Sequence, residues 1–278
     1  MSLEKGIKVS IKLFSAVFFM MASIQVFSET QDLSSSLIYD GKPIDAMCFT
    51  GSKSDSLKNC GTHFEKDMEK TGQNQQLKKQ DYIGYEYHVK NAGPTSEYSY
   101  YRPIAHFENK NVILTVSSGG GSGAFTAIKT VERTGDKLNI QNYDMGDRCN
   151  HGIFDVKQDN QQITYRIHIT PFDFLTLANE NPHKLKAYDD LEACAVCCAG
   201  SILISRPLNK NFSKKTIVSV DFSHYSLNED GTTHTKPYQG CFNSLITAYK
   251  AKHETVLTLA ELKVFVRQFN QQCVKIDT

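Results

Sequence analysis

Tryptophan is absent from this 278-residue chain, so any carbohydrate platform would have to come from its 13 tyrosines. Net charge is nearly absent as well: 31 lysines and arginines stand against 30 aspartates and glutamates, leaving +1. That balance gives no long-range pull toward nucleic acid or an anionic membrane. Beyond the amino terminus there is no apolar run approaching the roughly 20 residues needed to cross a bilayer. The nine histidines, at positions 63, 88, 106, 151, 168, 183, 224, 234 and 253, show no helical metal spacing. No second Cys-x-x-Cys completes a tetrahedral zinc set with Cys194, Cys197 and Cys198. No Gly-x-Ser-x-Gly elbow points to a serine hydrolase. Nothing here calls for a cofactor or a metal, and nucleic acid is not an expected partner.

What is present starts at the amino terminus. Lys5, Lys8 and Lys12 make a basic segment with Glu4 as its one acid, and residues 13–26 follow as an uncharged apolar run. This order is that of an export signal. Val26 and Ser28 are small enough to precede a cut after Ser28, with Ser23 as the alternative; an uncleaved anchor is the competing reading. Residues 1–28 are therefore assigned to a signal peptide. Because that leader carries +2, the remaining 250 residues carry −1. They are expected in the periplasm or the medium. Their eight cysteines would there meet an oxidising environment, in which disulfides are the default.

Hydrophobic content of 40% suffices for a folded core. Residues 29–80 read as a polar, loop-rich segment, with a capping box from Thr62 to Glu65 and an almost wholly polar stretch at 69–80. From Asp81 the period changes to two. Ile83, Tyr85, Tyr87 and Val89 alternate with Tyr82, Gly84, Glu86 and His88, as in a half-buried strand. Further strands are expected near 98–107, 111–117, 124–133, 137–143, 162–169, 201–205 and 216–225. The turns between most of them are too short for parallel crossovers. The expected fold is mainly β (α+β): an antiparallel meander, sandwich or barrel, over 81–240, with inserted short helices. One helix should start at Pro171 behind a capping Thr170, and another should run over 187–199. Residues 241–278 read as a helical hairpin packed on the β domain, its helices near 241–252 and 259–272, the second capped by Thr258 and Glu261.

The hairpin makes one disulfide geometrically favourable. Cys241, Leu245, Ala248 and Tyr249 share one helix face, and Leu262, Phe265, Val266, Phe269 and Cys273 share another. In an antiparallel pair Cys241 and Cys273 would meet, a cross-link contributing about 3–4 kcal/mol. Cys48 and Cys60 could close a local loop. For Cys149, Cys194, Cys197 and Cys198 the pairing stays open. Neighbours 197 and 198 are poor partners for each other, so Cys149 is the natural distant partner for the cluster. A redox Cys-x-x-Cys at 194–197 is disfavoured by its position late in the expected helix, since a thiolate is favoured at the other end.

Two loops carry the candidate chemistry. Asp147, Cys149 and His151 hold an acid, a thiol and an imidazole in five residues, the residue types of a thiol hydrolase, with Arg148 beside them. Gly119, Gly120, Gly121 and Gly123 lie in a run that superficially suggests a phosphate cradle. No lysine follows at the required place, so a hairpin that could lip a small-ligand pocket is the better reading. His88 and His168 fall on polar strand faces, and His224 continues the apolar Val218, Val220, Phe222 face. Tyr98, Tyr100, Tyr101 and Arg102 could line a binding face. The expected function is a non-catalytic binding, inhibitory or envelope-associated module with a protein or small-molecule ligand. The alternative is an exported hydrolase working through Asp147, Cys149 and His151.

Overall fold

The computed structural model describes residues 33–51, 55–60, 67–91, 95–121, 123–147, 149, 152–159, 161–178, 186–225 and 237–274. The signal segment 1–28 and the capping box at 62–65 lie outside these residues. A 3₁₀ turn at Ser35–Leu37 leads into the short ribbon β1 (Ile38–Tyr39) and β2 (Lys42–Pro43), then a second 3₁₀ turn at Ala46–Phe49. There follow β3 (Asp55–Ser56), β4 (Met68–Gly72), α1 (Gln75–Lys78), β5 (Ile83–Val89), β6 (Glu97–Phe107), β7 (Lys110–Ser118), β8 (Phe125–Thr134) and β9 (Lys137–Gly146). After these come β10 (Ile153–Gln158), β11 (Gln162–Ile169), α2 (Pro171–Thr176), α3 (Lys186–Asp189), β12 (Gly200–Pro207) and β13 (Thr216–Asp221). The chain ends with α4 (Pro237–Lys250), β14 (Val256–Leu257) and α5 (Leu259–Gln272).

All strand pairings are antiparallel. One sheet has seven strands, ordered β3-β9-β8-β7-β6-β5-β4, and another has five in chain order from β10 to β14. The expected meander is present as two open sheets, and no barrel closes among the described residues. The polar stretch at 69–80 is not a plain linker: β4 pairs with β5 along the sheet edge. An edge strand with Glu69 and Lys70 outward needs no apolar alternation, and charge there blocks pairing with other chains.

The two sheets share one core. Ile104, Val112, Leu114 and Ile128 from the larger meet Ile163, Tyr165, Ile202, Ile204 and Val220 from the smaller. On β11 the alternation places Ile163, Tyr165 and Ile169 inward, all at most 4% exposed. A buried polar joint crosses this core. Asp144 of β9 accepts from Arg206 Nε at 3.0 Å and from the Tyr165 hydroxyl, while Lys215 reaches its other oxygen at 3.0 Å. Arg206 also donates to the carbonyls of Phe212 at 2.9 Å and Ser213 at 3.0 Å, fixing the β12–β13 connection. Burial alone would raise the Asp144 carboxyl, but the hydrogen bonds from Tyr165, Arg206 and Lys215 outweigh it and hold the pKa below the ordinary value.

Residues 33–60 cover the other face of the large sheet. Their polar composition conceals Leu37, Ile44, Ala46, Phe49 and Leu57, which pack on Tyr101, Ile113, Val131, Leu138 and Ile140. The Cys48–Cys60 disulfide closes this layer. Lys129 points into it from β8, is 4% exposed, and donates to the carbonyls of Phe49 and Gly51.

The terminal helices bear an aromatic cluster in which Phe174, Phe222, Phe242 and Phe265 meet edge to face. The Thr258–Glu261 capping box is formed. Cys241 and Cys273 are joined, 5.8 Å apart at Cα. On α4 the buried stripe is Gln239, Phe242, Asn243 and Ile246, one residue round from the expected face, and Ala248 is exposed. The expected helix at 187–199 is only α3; the chain beyond it is irregular. Its backbone is claimed by distant partners: Glu192 N–H by Gln239 Oε1 at 2.9 Å, and Ala199 N–H by the Ile169 carbonyl at 2.8 Å.

The polar joint predicts that Arg206→Met lowers stability by about 3–5 kcal/mol, because it leaves Asp144 buried with its main partner gone. Urea unfolding at neutral pH checks this. Asp144 itself contributes stability that is present above the unfolded carboxylate pKa and lost as pH falls through its lower folded value. Lys129 has the opposite origin. Burial lowers its pKa to about 8, so above pH 8 the unfolded chain holds its proton more tightly than the folded one. Stability should rise between pH 8 and about 10, by up to about 1.4 kcal/mol per pH unit. Urea midpoints across that window should lose the rise in Lys129→Met.

Candidate functional site

A cleft of about 370 Å³ opens on the outer face of the five-stranded sheet. Strand register builds its floor. Phe154 of β10 faces Arg166 of β11, His168 faces Ser201 of β12, and Ser201 faces Asp221 of β13, so these side chains share one face. The Cys149–Cys198 disulfide forms one wall, and His224 and Tyr225 line the cleft beyond β13.

His224 is a correction. The face through Val218, Val220 and Phe222 was expected to continue inward, yet Val218 is 46% exposed and His224 is exposed. A register shift explains Val218: Ile217 pairs with Ile204, but Ser219 pairs with Leu203, so Val218 is an extra residue bulged out of the ladder, while Val220 and Phe222 stay buried. The chain then turns at Ser223, whose N–H donates to Asp221 Oδ1 at 2.9 Å.

The electrostatics of the floor are self-contained. Arg166 lies 3.6 Å from Asp221 and 3.8 Å from Asp155, and donates to Ser201 Oγ at 3.3 Å. Burial would raise Asp221, but the Ser223 hydrogen bonds and the charges of Arg166 and His224 keep it ionised below the usual carboxylate range. The His168 ring stacks on Phe154, centroids 4.3 Å apart, giving the cleft a flat apolar surface.

Cys149 is the one residue of the predicted catalytic group placed in this cleft, and its sulfur is already bonded to Cys198. Its backbone has φ of 55°, unusual for a side-chain-bearing residue, and its N–H donates to the Ala195 carbonyl at 2.7 Å. Asp147 precedes it at the end of β9; Arg148 and His151 lie outside the described residues. The loop leaves and returns through glycines: Gly146 and Gly152 approach so closely that a side chain on either would run into the other's backbone. Thr126 stitches the exit, accepting from the Ile153 N–H at 2.7 Å and donating to the Gly146 carbonyl at 3.2 Å.

The glycine-rich run forms the β7–β8 hairpin. Among its described residues only Gly120 has a left-handed backbone, φ of 84°, and a side chain on it would strike Thr95. Gly119, Gly121 and Gly123 sit in the same loop, while the nearest cavity draws on Ser117 and Phe125 at the base of the hairpin. The hairpin base and the Cys149 loop start from adjoining strand ends, since Ser117 pairs with Phe125 and Thr126 with Gly146.

Cys194 and Cys197 are bonded to each other on the irregular segment after α3, with Cys194 exposed. All eight cysteines are thus in disulfides, and no cysteine is free. Among the described residues no group of three His, Cys, Asp or Glu side chains has metal-holding geometry. Sequence reasoning missed Phe154, Arg166, Ser201 and Asp221 as a group; only the strand register brings them together. Compared with protein-family models, curated proteins and solved structures, the chain matches none.

Because the Cys149–Cys198 bond spans 49 residues, replacing both with serine should cost about 4 kcal/mol by the loop-entropy argument. Thermal or urea unfolding measures it. An unchanged stability would mean that the bond does not hold the cleft wall.

Proposed function

We propose that this chain is an exported, disulfide-bonded binding module rather than an enzyme, with the cleft beside Cys149 and Cys198 as its site. The observation that carries the reading is the Cys149–Cys198 bond itself. It makes the one proposed nucleophile part of a wall, and a bonded sulfur is no thiolate. Four disulfides also suit an oxidising compartment, where such bonds persist. Among the described residues no helix is long and apolar enough to cross a membrane. The basic and apolar head of the sequence supplies the export route, with the mature chain starting at Glu29.

The lining favours a particular kind of ligand. Arg166 sits between two carboxylates, so the floor offers no excess of positive charge to an anion. The Phe154–His168 stack and Tyr225 add apolar faces, and Ser201 a hydroxyl. Such a surface fits an uncharged, partly apolar small molecule or a peptide segment of a protein partner.

Expression of the full chain with a carboxyl-terminal tag in a bacterial host tests both halves of this reading. The protein released by osmotic shock should begin at Glu29, take up no iodoacetamide without reductant, and hydrolyse p-nitrophenyl acetate no faster than buffer. Full-length protein retained in the cytosol with alkylated cysteines would contradict export. Esterase activity that is lost in Cys149→Ser would restore the hydrolase reading.

A further inference from the structure

A second cleft, of about 350 Å³, lies on the opposite side of β10. It exists because the smaller sheet does not cover the whole inner face of the larger one. Ile104, Phe107, Val112 and Leu114 pack into the shared core, whereas Tyr100 and Val116, further along the same strands, form a separate cluster with Leu77 and Tyr82. The gap is roofed by α1, which the Tyr100 hydroxyl anchors by accepting from the Asn74 N–H at 2.7 Å.

Arg102 enters this gap from β6. Its guanidinium lies 5.3 Å from the centre of the Tyr82 ring and hydrogen-bonds the Tyr82 hydroxyl. Its Nε is buried and has no hydrogen-bond partner, and no ion pair joins it to any described carboxylate. Asp155, the one acid among the described residues of the cleft wall, is engaged by Lys157 at 3.0 Å and by Arg166 at 3.8 Å. A buried donor left unsatisfied costs about 1–3 kcal/mol, and guanidinium binds carboxylate through two parallel N–H donors. Leu114, Val116, Ile153 and Val156 supply an apolar body to the cleft. Burial pushes the Tyr82 phenol up against the opposing pull of Arg102, and burial with Glu86 raises that of Tyr98, so both hydroxyls stay protonated and able to donate at neutral pH.

We infer that this cleft binds a small aromatic carboxylate, its acid group held by Arg102 and its ring between β7 and β10. The site is independent of the disulfide-walled cleft, whose own arginine is already compensated. Indole-3-acetate and its neutral amide are suitable probes, because they share a shape and differ in one charge. Titration calorimetry on the oxidised mature chain should show the acid binding about tenfold or more tighter than the amide. Arg102→Gln should abolish that preference, and Arg166→Gln should leave it intact. Val116→Trp, which fills the cleft from its apolar wall while keeping the guanidinium, should remove binding of both probes; circular dichroism establishes that each variant is folded. The inference is overturned if acid and amide bind equally, if the preference survives Arg102→Gln or is lost in Arg166→Gln, or if neither probe binds at about 10 mM.

Discussion

The bond between Cys149 and Cys198 ties the loop leaving the seven-stranded sheet to a point two residues before β12, the middle strand of the smaller sheet. At the far end of β12, Arg206 is held by Asp144 of β9. One strand is therefore fastened at both ends to the region where the chain passes between sheets. The two fastenings differ in kind. The disulfide limits the unfolded chain and needs an oxidising compartment. The ion pair acts in the folded core, where its hydrogen bonds must offset the cost of burying charge.

These fastenings decide where β10 lies, and β10 separates the two clefts. Residues two apart on a regular strand share a face, but the register shifts between Phe154 and Lys157, so Phe154 reaches the disulfide-walled cleft beside Arg166 while Val156 lines only the cleft between the sheets. The strand has an irregular register between Phe154 and Lys157, with Asp155 at φ of 50°. That irregularity turns the Asp155 carboxylate toward Arg166 and Lys157. Arg166 therefore pairs with Asp155 as well as Asp221, and no described carboxylate pairs with Arg102. The different ligands proposed for the two clefts rest on this difference in pairing.

Much of the β framework was legible because period-two alternation survives wherever one sheet face is buried. β11 shows this best: Ile163, Tyr165 and Ile169 all point inward. The failures share a cause, namely long-range partners that local pattern does not reveal. Gln239 and Asn243, polar and outside the expected Cys241, Leu245, Ala248 and Tyr249 face, are both buried, bonded to each other and to Glu192 and Tyr225. The helix expected over 187–199 stops because its backbone groups bond elsewhere. The bulge at Val218 turns that residue outward, and the turn at Ser223 takes His224 off the buried face of Val220 and Phe222. Of the candidate site, Cys149 was visible as chemistry, but its cleft was not. Phe154, Arg166, Ser201 and Asp221 come from four strands and converge only through their register.

The reading of the disulfide-walled cleft as a binding site rests on Cys149 being joined to Cys198 in the protein as its cell makes it. Peptide mapping by mass spectrometry, on material alkylated before lysis and digested without reduction, tests this directly. The account predicts a peptide pair linked through Cys149 and Cys198, with Cys194 linked to Cys197 on the same fragment. Recovery of Cys149 alkylated, or joined to any other cysteine, would contradict it.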